Sequence, residues 1–192
     1  MNVVAILLAA GSASRFGSDK LLHPLPHGVA IAVQAARHVR AVTARIVVSV
    51  RPGADELARL LRAEGCEIVI CENAAEGMGA SLACAVRAVD AADAYLVALA
   101  DMPFVRPSSI VAVRDELEKG VSLAAPYFRA RRGHPVGISS RFRDELIRLK
   151  GDEGARALLA SHAAEIVKVP VGDPAVLRDI DTPGDLAPPL VV

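Results

Sequence analysis

The N-terminal run Val3-Val4-Ala5-Ile6-Leu7-Leu8-Ala9 passes directly into Ala10-Gly11-Ser12-Ala13-Ser14-Arg15-Phe16-Gly17-Ser18-Asp19-Lys20. An apolar run without alternation reads as a strand buried on both faces, the kind found in parallel sheets covered by helices. The small residues after it let backbone N–H groups approach an anion closely. Arg15 and Lys20 add two cations to the same loop. Strand, N–H-rich loop and fixed positive charge together imply a pocket for a polyphosphate.

Two familiar phosphate loops are excluded by spacing. A Walker A loop needs Gly-Lys-Ser/Thr, but here Lys20 lies three residues past Gly17 and is followed by Leu21. A dinucleotide fingerprint needs Gly-x-Gly-x-x-Gly, and position 13 is Ala.

Further along, apolar runs and helical patterns alternate. Helical patterns over residues 30–39, 54–63, 80–89 and 108–118 separate strands at 46–50, 66–70, 95–99 and from 123 onward. This order implies a doubly wound, mostly parallel α/β sheet. The 192 residues suit one domain spanning 1–192. Aromatics make up only 3% of the chain, so Ala, Val, Leu and Ile must build the core. Residues 127–138 break the pattern and read as an extended hairpin or lid. Two short helical stretches follow at 141–149 and 153–162, with a late strand at 165–169.

Formal net charge is zero and no basic stripe is present, which argues against nucleic acid as a partner. No apolar stretch is long enough to span a membrane, and no basic leader precedes the first strand, so a cytoplasmic location is expected. Cys66, Cys71 and Cys84 lack Cys-x-x-Cys spacing and read as small buried fillers rather than metal ligands or a disulfide.

Asp101 stands where the fourth strand ends, the place where open α/β sheets bind ligands. A carboxylate there suits Mg²⁺, which takes one or two carboxylates together with phosphate oxygens. Asp179 and Asp181 flank Ile180 and share a face if that segment is extended, with Thr182 available to cap a turn begun by Pro183. Gly77-Met78-Gly79-Ala80-Ser81 opens a helix; it could either contact a base or ribose or pack tightly between strand and helix. Arg132-Gly133-His134-Pro135 forms a second cationic patch in which His134 could touch an anionic substrate. His23, His27, His38 and His162 read as structural.

Leu8-Ala9-Ala10-Gly11, Arg15, Gly17 and Lys20 together resemble the signature loop of MobA-like nucleotidyltransferases. The Ala-Ala-Gly form is most similar to the molybdenum cofactor cytidylyltransferase branch. Gly77–Leu82, Asp101-Met102-Pro103, Gly133-His134-Pro135 and Asp179–Pro183 repeat the family's pattern in order, across most of the chain. The resemblance implies a Rossmann-like fold and Mg²⁺-dependent transfer of CMP from CTP to a molybdopterin-type phosphate, with release of pyrophosphate. A molybdoenzyme would receive the product. Arg15, Lys20 and Asp101 would be catalytic. Ala9, Ala10, Gly11, Ser12, Gly79 and Ser81 would contact the nucleotide with them. Asp101 and Asp181 would hold the metal, and Gly133, His134 and Pro135 would line the acceptor pocket.

GTP-using relatives carry Leu-Ala-Gly-Gly where this chain has Leu-Ala-Ala-Gly, which favours CTP. Alternatives are a GTP-using guanylyltransferase, another sugar- or isoprenoid-phosphate cytidylyltransferase, or a non-catalytic cofactor carrier. The family's Pro-Leu corner before the first helix is replaced by Gly28-Val29-Ala30-Ile31, a departure that bears on acceptor identity.

Overall fold

The computed structural model describes residues 1–11 and 19–187. Residues Ser12 and Arg15 of the expected site therefore lie outside the described residues. Strands β1 (Val3–Leu8), β2 (Arg45–Val50), β3 (Glu67–Ile70) and β4 (Ala94–Leu99) alternate with helices α1 (Ile31–Arg40), α2 (Asp55–Ala63) and α3 (Met78–Arg87). Then come α4 (Pro107–Glu118), β5 (Leu123–Phe128), β6 (Arg131–Arg132), β7 (Val136–Ser139), α5 (Arg143–Leu146), α6 (Arg156–Ser161) and β8 (Ile166–Pro170).

These strands form one eight-stranded sheet in the order β3-β2-β1-β4-β7-β5-β6, with β8 pairing β5. β1 lies between β2 and β4, parallel to both. Its side chains alternate between two cores. Ala5 and Leu7 join α1, α2 and α4 on one face, through Ile31, Leu57 and Ile110 among others. Val4 and Ile6 join α3, α5 and α6 on the other, through Leu82, Leu146 and Leu158. Burial on both faces explains the unbroken apolar run, since each fully buried Leu or Ile contributes about 1.5–3 kcal/mol.

The 127–138 segment differs from the hairpin or lid expected for it. β5 and β6 do form a hairpin, turning through Arg129 and Ala130 at positive φ. β7, however, enters the sheet antiparallel between β4 and β5. Gly137 allows this: a Cβ there would meet Leu117 Cδ1 of α4 at 2.9 Å. Local pattern shows that a segment is extended; only its partners show that it is internal.

The cysteine expectation is also corrected. Cys71 and Cys84 form a disulfide with Cα atoms 5.9 Å apart, while Cys66 is free and buried. They are 13 residues apart in sequence, and the return of the chain from β3 into α3 brings them together. That return is invisible in their spacing.

At the entry to α1, Gly28 at φ +87° supports a turn in which its N–H donates to the Leu25 carbonyl. The Ile31 N–H donates to the His23 carbonyl. The helix is thus anchored without a Pro-Leu corner.

Candidate active site at the carboxyl end of the sheet

β1 and β4 lie side by side and parallel, so the segments that follow them meet at the same carboxyl edge of the sheet, where open α/β sheets bind ligands. Lys20 reaches this edge from a single 3₁₀ turn, Lys20–Leu22, held down by buried Leu21. Its Nζ donates to Asp101 Oδ2 at 2.9 Å and lies 3.6 Å from Asp181 Oδ1. Asp101 follows the end of β4. Asp181 comes from a remote segment pinned beside it: Ile180 is fully buried, and its N–H donates to the Asp101 carbonyl at 2.9 Å.

Thr182 N–H and Oγ1 both donate to Asp185 Oδ2, forming the cap that stops the segment. Asp179 completes the group. Burial raises its carboxyl above the usual range, and the charges of Asp101 and Asp181 raise it further against the pull of Lys20. Three carboxylates around one ammonium leave a local negative excess that favours an added cation.

A cleft of about 770 Å³ extends from this cluster. Ala10 and Gly11 form one wall. Ala9 does not: it is packed in the core, and its N–H donates to the Ser49 carbonyl as a continuation of the β1–β2 ladder. Ser81 lines the cleft from α3, its hydroxyl donating to the Gly77 carbonyl at 3.2 Å with its lone pairs remaining to accept. Gly79 is engaged elsewhere. Its N–H donates to the Gly151 carbonyl at 2.7 Å, and a Cβ would meet the Lys150 carbonyl oxygen at 2.6 Å. Tight packing of α3 on the 150–152 loop therefore accounts for it.

Arg51 also lines the cleft, although no motif in the sequence marks it. Its guanidinium donates to the Gly11 carbonyl at 3.2 Å and to Asp19 Oδ2 at 2.8 Å. It thus joins the two ends of the signature loop. The available signal was its position directly after β2, at the carboxyl edge where ligands bind.

A second compartment of about 410 Å³ adjoins the first, sharing Leu8, Met78, Leu99 and Asp152 with it. Arg132, His134 and Arg156 line it. Burial pushes the His134 imidazole down to about 4, with Arg132 adding to the effect, so the ring is neutral at pH 7. The structure does not bring Gly133 or Pro135 to this wall. Gly133 abuts the Val176 backbone, where a Cβ would meet the carbonyl oxygen at 2.2 Å. Pro135 faces a small gap beside Val39, Met102 and Ile110, toward α1 and α4. His38, read as structural, donates from Nδ1 to the Val105 carbonyl at 2.8 Å.

Among the described residues no cluster of three or more His, Cys, Asp or Glu side chains forms a self-sufficient metal site. Asp101 and Asp181, converging on Lys20, instead fit an ion that keeps several waters and shares phosphate oxygens. No helix among the described residues is long and apolar enough to cross a membrane.

A mostly parallel sheet with acidic and basic groups gathered at its carboxyl edge places the molecule among Rossmann-like nucleotidyltransferase folds. The chain belongs to the MobA-like NTP transferase domain family, whose model matches residues 5–166. Nicotine blue oxidoreductase of Paenarthrobacter nicotinovorans is 29% identical over 190 residues, covering 94% of this chain and 92% of that protein. The purine catabolism protein PucB of Bacillus subtilis (strain 168) is 27% identical over 207 residues, with the same coverage, 94% and 92%. The crystal structure of Rv0371c from Mycobacterium tuberculosis H37Rv superposes with a TM-score of 0.83 at 25% identity, covering 96% of this chain and 94% of that one. A structure of Rv0371c from the same organism is described as a complex with manganese; it has a TM-score of 0.78 at 24% identity, covering 96% of each chain.

Proposed function

We propose that this protein transfers CMP from CTP to the phosphate of a molybdopterin-type acceptor, releasing pyrophosphate, with a divalent ion, Mg²⁺ or Mn²⁺. The observation that carries this reading is the convergence of Asp101 and Asp181 on Lys20 beside the Ala10–Gly11 wall. The Ala-Ala-Gly form of the loop supports CTP over GTP.

In this reading the triphosphate lies along the loop. Lys20 donates to phosphate oxygens, joined by Arg15 and by backbone N–H groups that include Gly11 and Ser12. Asp101 and Asp181 would hold the metal ion, which supplies neutralisation of phosphate charge when bound. Ser81 accepts from or donates to the nucleoside. Arg51 keeps the ends of the loop together.

The acceptor enters by the second compartment, where Arg132 and Arg156 attract its anionic groups and His134 presents a neutral ring. An acceptor phosphate is already anionic at pH 7, so no strong base is required. The barrier is lowered by positioning and by charge stabilisation. One relative's name denotes an oxidoreductase. The present chain lacks the Gly-x-Gly-x-x-Gly dinucleotide fingerprint and carries a metal-phosphate constellation instead, which favours transfer.

The test is pyrophosphate release by the purified protein with CTP, GTP, ATP or UTP, a pterin phosphate and Mg²⁺ or Mn²⁺. Release with CTP supports the proposal, and a clear preference for GTP reassigns the nucleotide. Tight pterin binding without pyrophosphate points to a carrier. Hydride transfer from a nicotinamide donor, again without pyrophosphate, overturns the transferase reading.

A further inference from the structure

The Cys71–Cys84 bond encloses the segment that forms one wall of the cleft. Glu72, Ala74, Ala75, Gly77, Met78 and Ser81 all line that cleft and all lie between the two cysteines. We propose that this bond is a thiol-responsive tether that sets nucleotide affinity, with the cleft binding nucleotide more tightly when the bond is formed than when it is reduced. The inference rests on the nucleotide-binding reading above and adds a mode of regulation to it.

The first turns of α3 are firmly packed, but between β3 and α3 the packing behind this wall is slight: of residues 72–76 only Ala74 is buried. Cys71, Ala74 and Ala10 make a small cluster of their own, apart from the two main cores. Ala10 also faces the cleft, so the tether and the signature loop touch through a few small side chains. The 72–76 stretch, with so little buried apolar area, opens locally at low cost unless a covalent link restrains it. Binding to an untethered wall must order it first, and that lowers affinity.

The two sulfurs are unequally accessible. Cys71 is fully buried, whereas Cys84 is only partly so. An incoming thiolate therefore attacks Cys84 Sγ, the S–S bond breaks, and Cys71 leaves as a thiolate that takes up a proton. With a dithiol reductant, its second thiolate then attacks its own sulfur in the mixed disulfide and releases Cys84. Two electrons and two protons pass to the protein, and the reductant ends as a cyclic disulfide. Cys66 does not compete: it is buried in the other core, and burial pushes its thiol up to about 11.

The experiment is calorimetric titration of CTP, without acceptor, into protein oxidised with glutathione disulfide and into the same protein reduced with dithiothreitol. Thiols are counted after denaturation in each case. The expected counts are one thiol before reduction and three after. Affinity is expected to weaken by about 5-fold or more on reduction. Cys84→Ser should show the weaker affinity in both buffers. Equal affinity in the two redox states overturns the tether, even if the melting temperature falls, because the bond would then be merely structural. Three thiols in the oxidised sample also overturn it. Failure of CTP, GTP, ATP and UTP to bind in either state overturns the nucleotide reading, and the tether's role with it; equal binding in both overturns the tether alone.

Discussion

Lys20 meets two carboxylates from distant parts of the chain, and its side chain is 13% exposed. Replacing it with Met removes the one ammonium that balances Asp101, Asp181 and Asp179, but leaves the apolar stem's volume in place. Loss of one such charge donor typically lowers rate by about 10²–10³. Lys20→Met is therefore expected to lose that much in kcat/KM for pyrophosphate release while keeping a native circular dichroism spectrum. Normal turnover by the purified variant would remove Lys20 from the chemistry. At this scale the sequence was informative wherever a residue carried its own chemistry. Lys20, Asp101 and Asp181 were each legible because a charge beside an apolar strand or a capped turn has few other uses. Arg51 was not, because its role consists of joining Gly11 to Asp19, two residues far from it in sequence.

The elements have a different logic. The start of α3 is fitted to the 150–152 loop so closely that two glycines are required there. Gly77 adopts φ +120°, and a Cβ on it would meet Asp152 Oδ1 at 2.2 Å. Gly79→Ala is expected to destabilise the protein by about 1–3 kcal/mol, the usual cost of overpacking, as read from urea denaturation. Gly11→Ala serves as the contrast, since among the described residues nothing lies within 4 Å of its added Cβ. It should leave the urea midpoint nearly unchanged, and equal losses in both variants would refute the packing account. The Gly-Met-Gly motif was visible in the sequence, but its partner loop was not. Periodicity located the helix and could not say what its N-terminus packs against.

At the scale of the molecule, the interior holds a histidine that is neutral. His134 sits between β6 and β7, and burial brings its titration from the ordinary value of 6.5 to about 4. The unfolded chain therefore binds more protons than the folded one between those limits. Stability is full above pH 6.5 and falls as pH drops toward 4, by up to about 3 kcal/mol. Urea denaturation midpoints measured from pH 7 to pH 4 should show this slope. His134→Gln should flatten it, and an unchanged slope in that variant would assign the acid sensitivity to other groups.

The alternation of apolar runs with helical patterns was enough to determine a doubly wound sheet, because a strand buried on both faces and an amphipathic helix each have few ways to satisfy their surfaces. The same local physics located the loop, the acidic strand end and the C-terminal Asp pair. Tertiary structure alone decided that β7 lies inside the sheet, that Cys71 bonds Cys84, that Arg51 spans the loop, and that His134 faces a compartment while Gly133 and Pro135 do not. Each of these depends on which segments become neighbours. That choice is set by how whole faces pack together, and a linear pattern records the faces but not their partners.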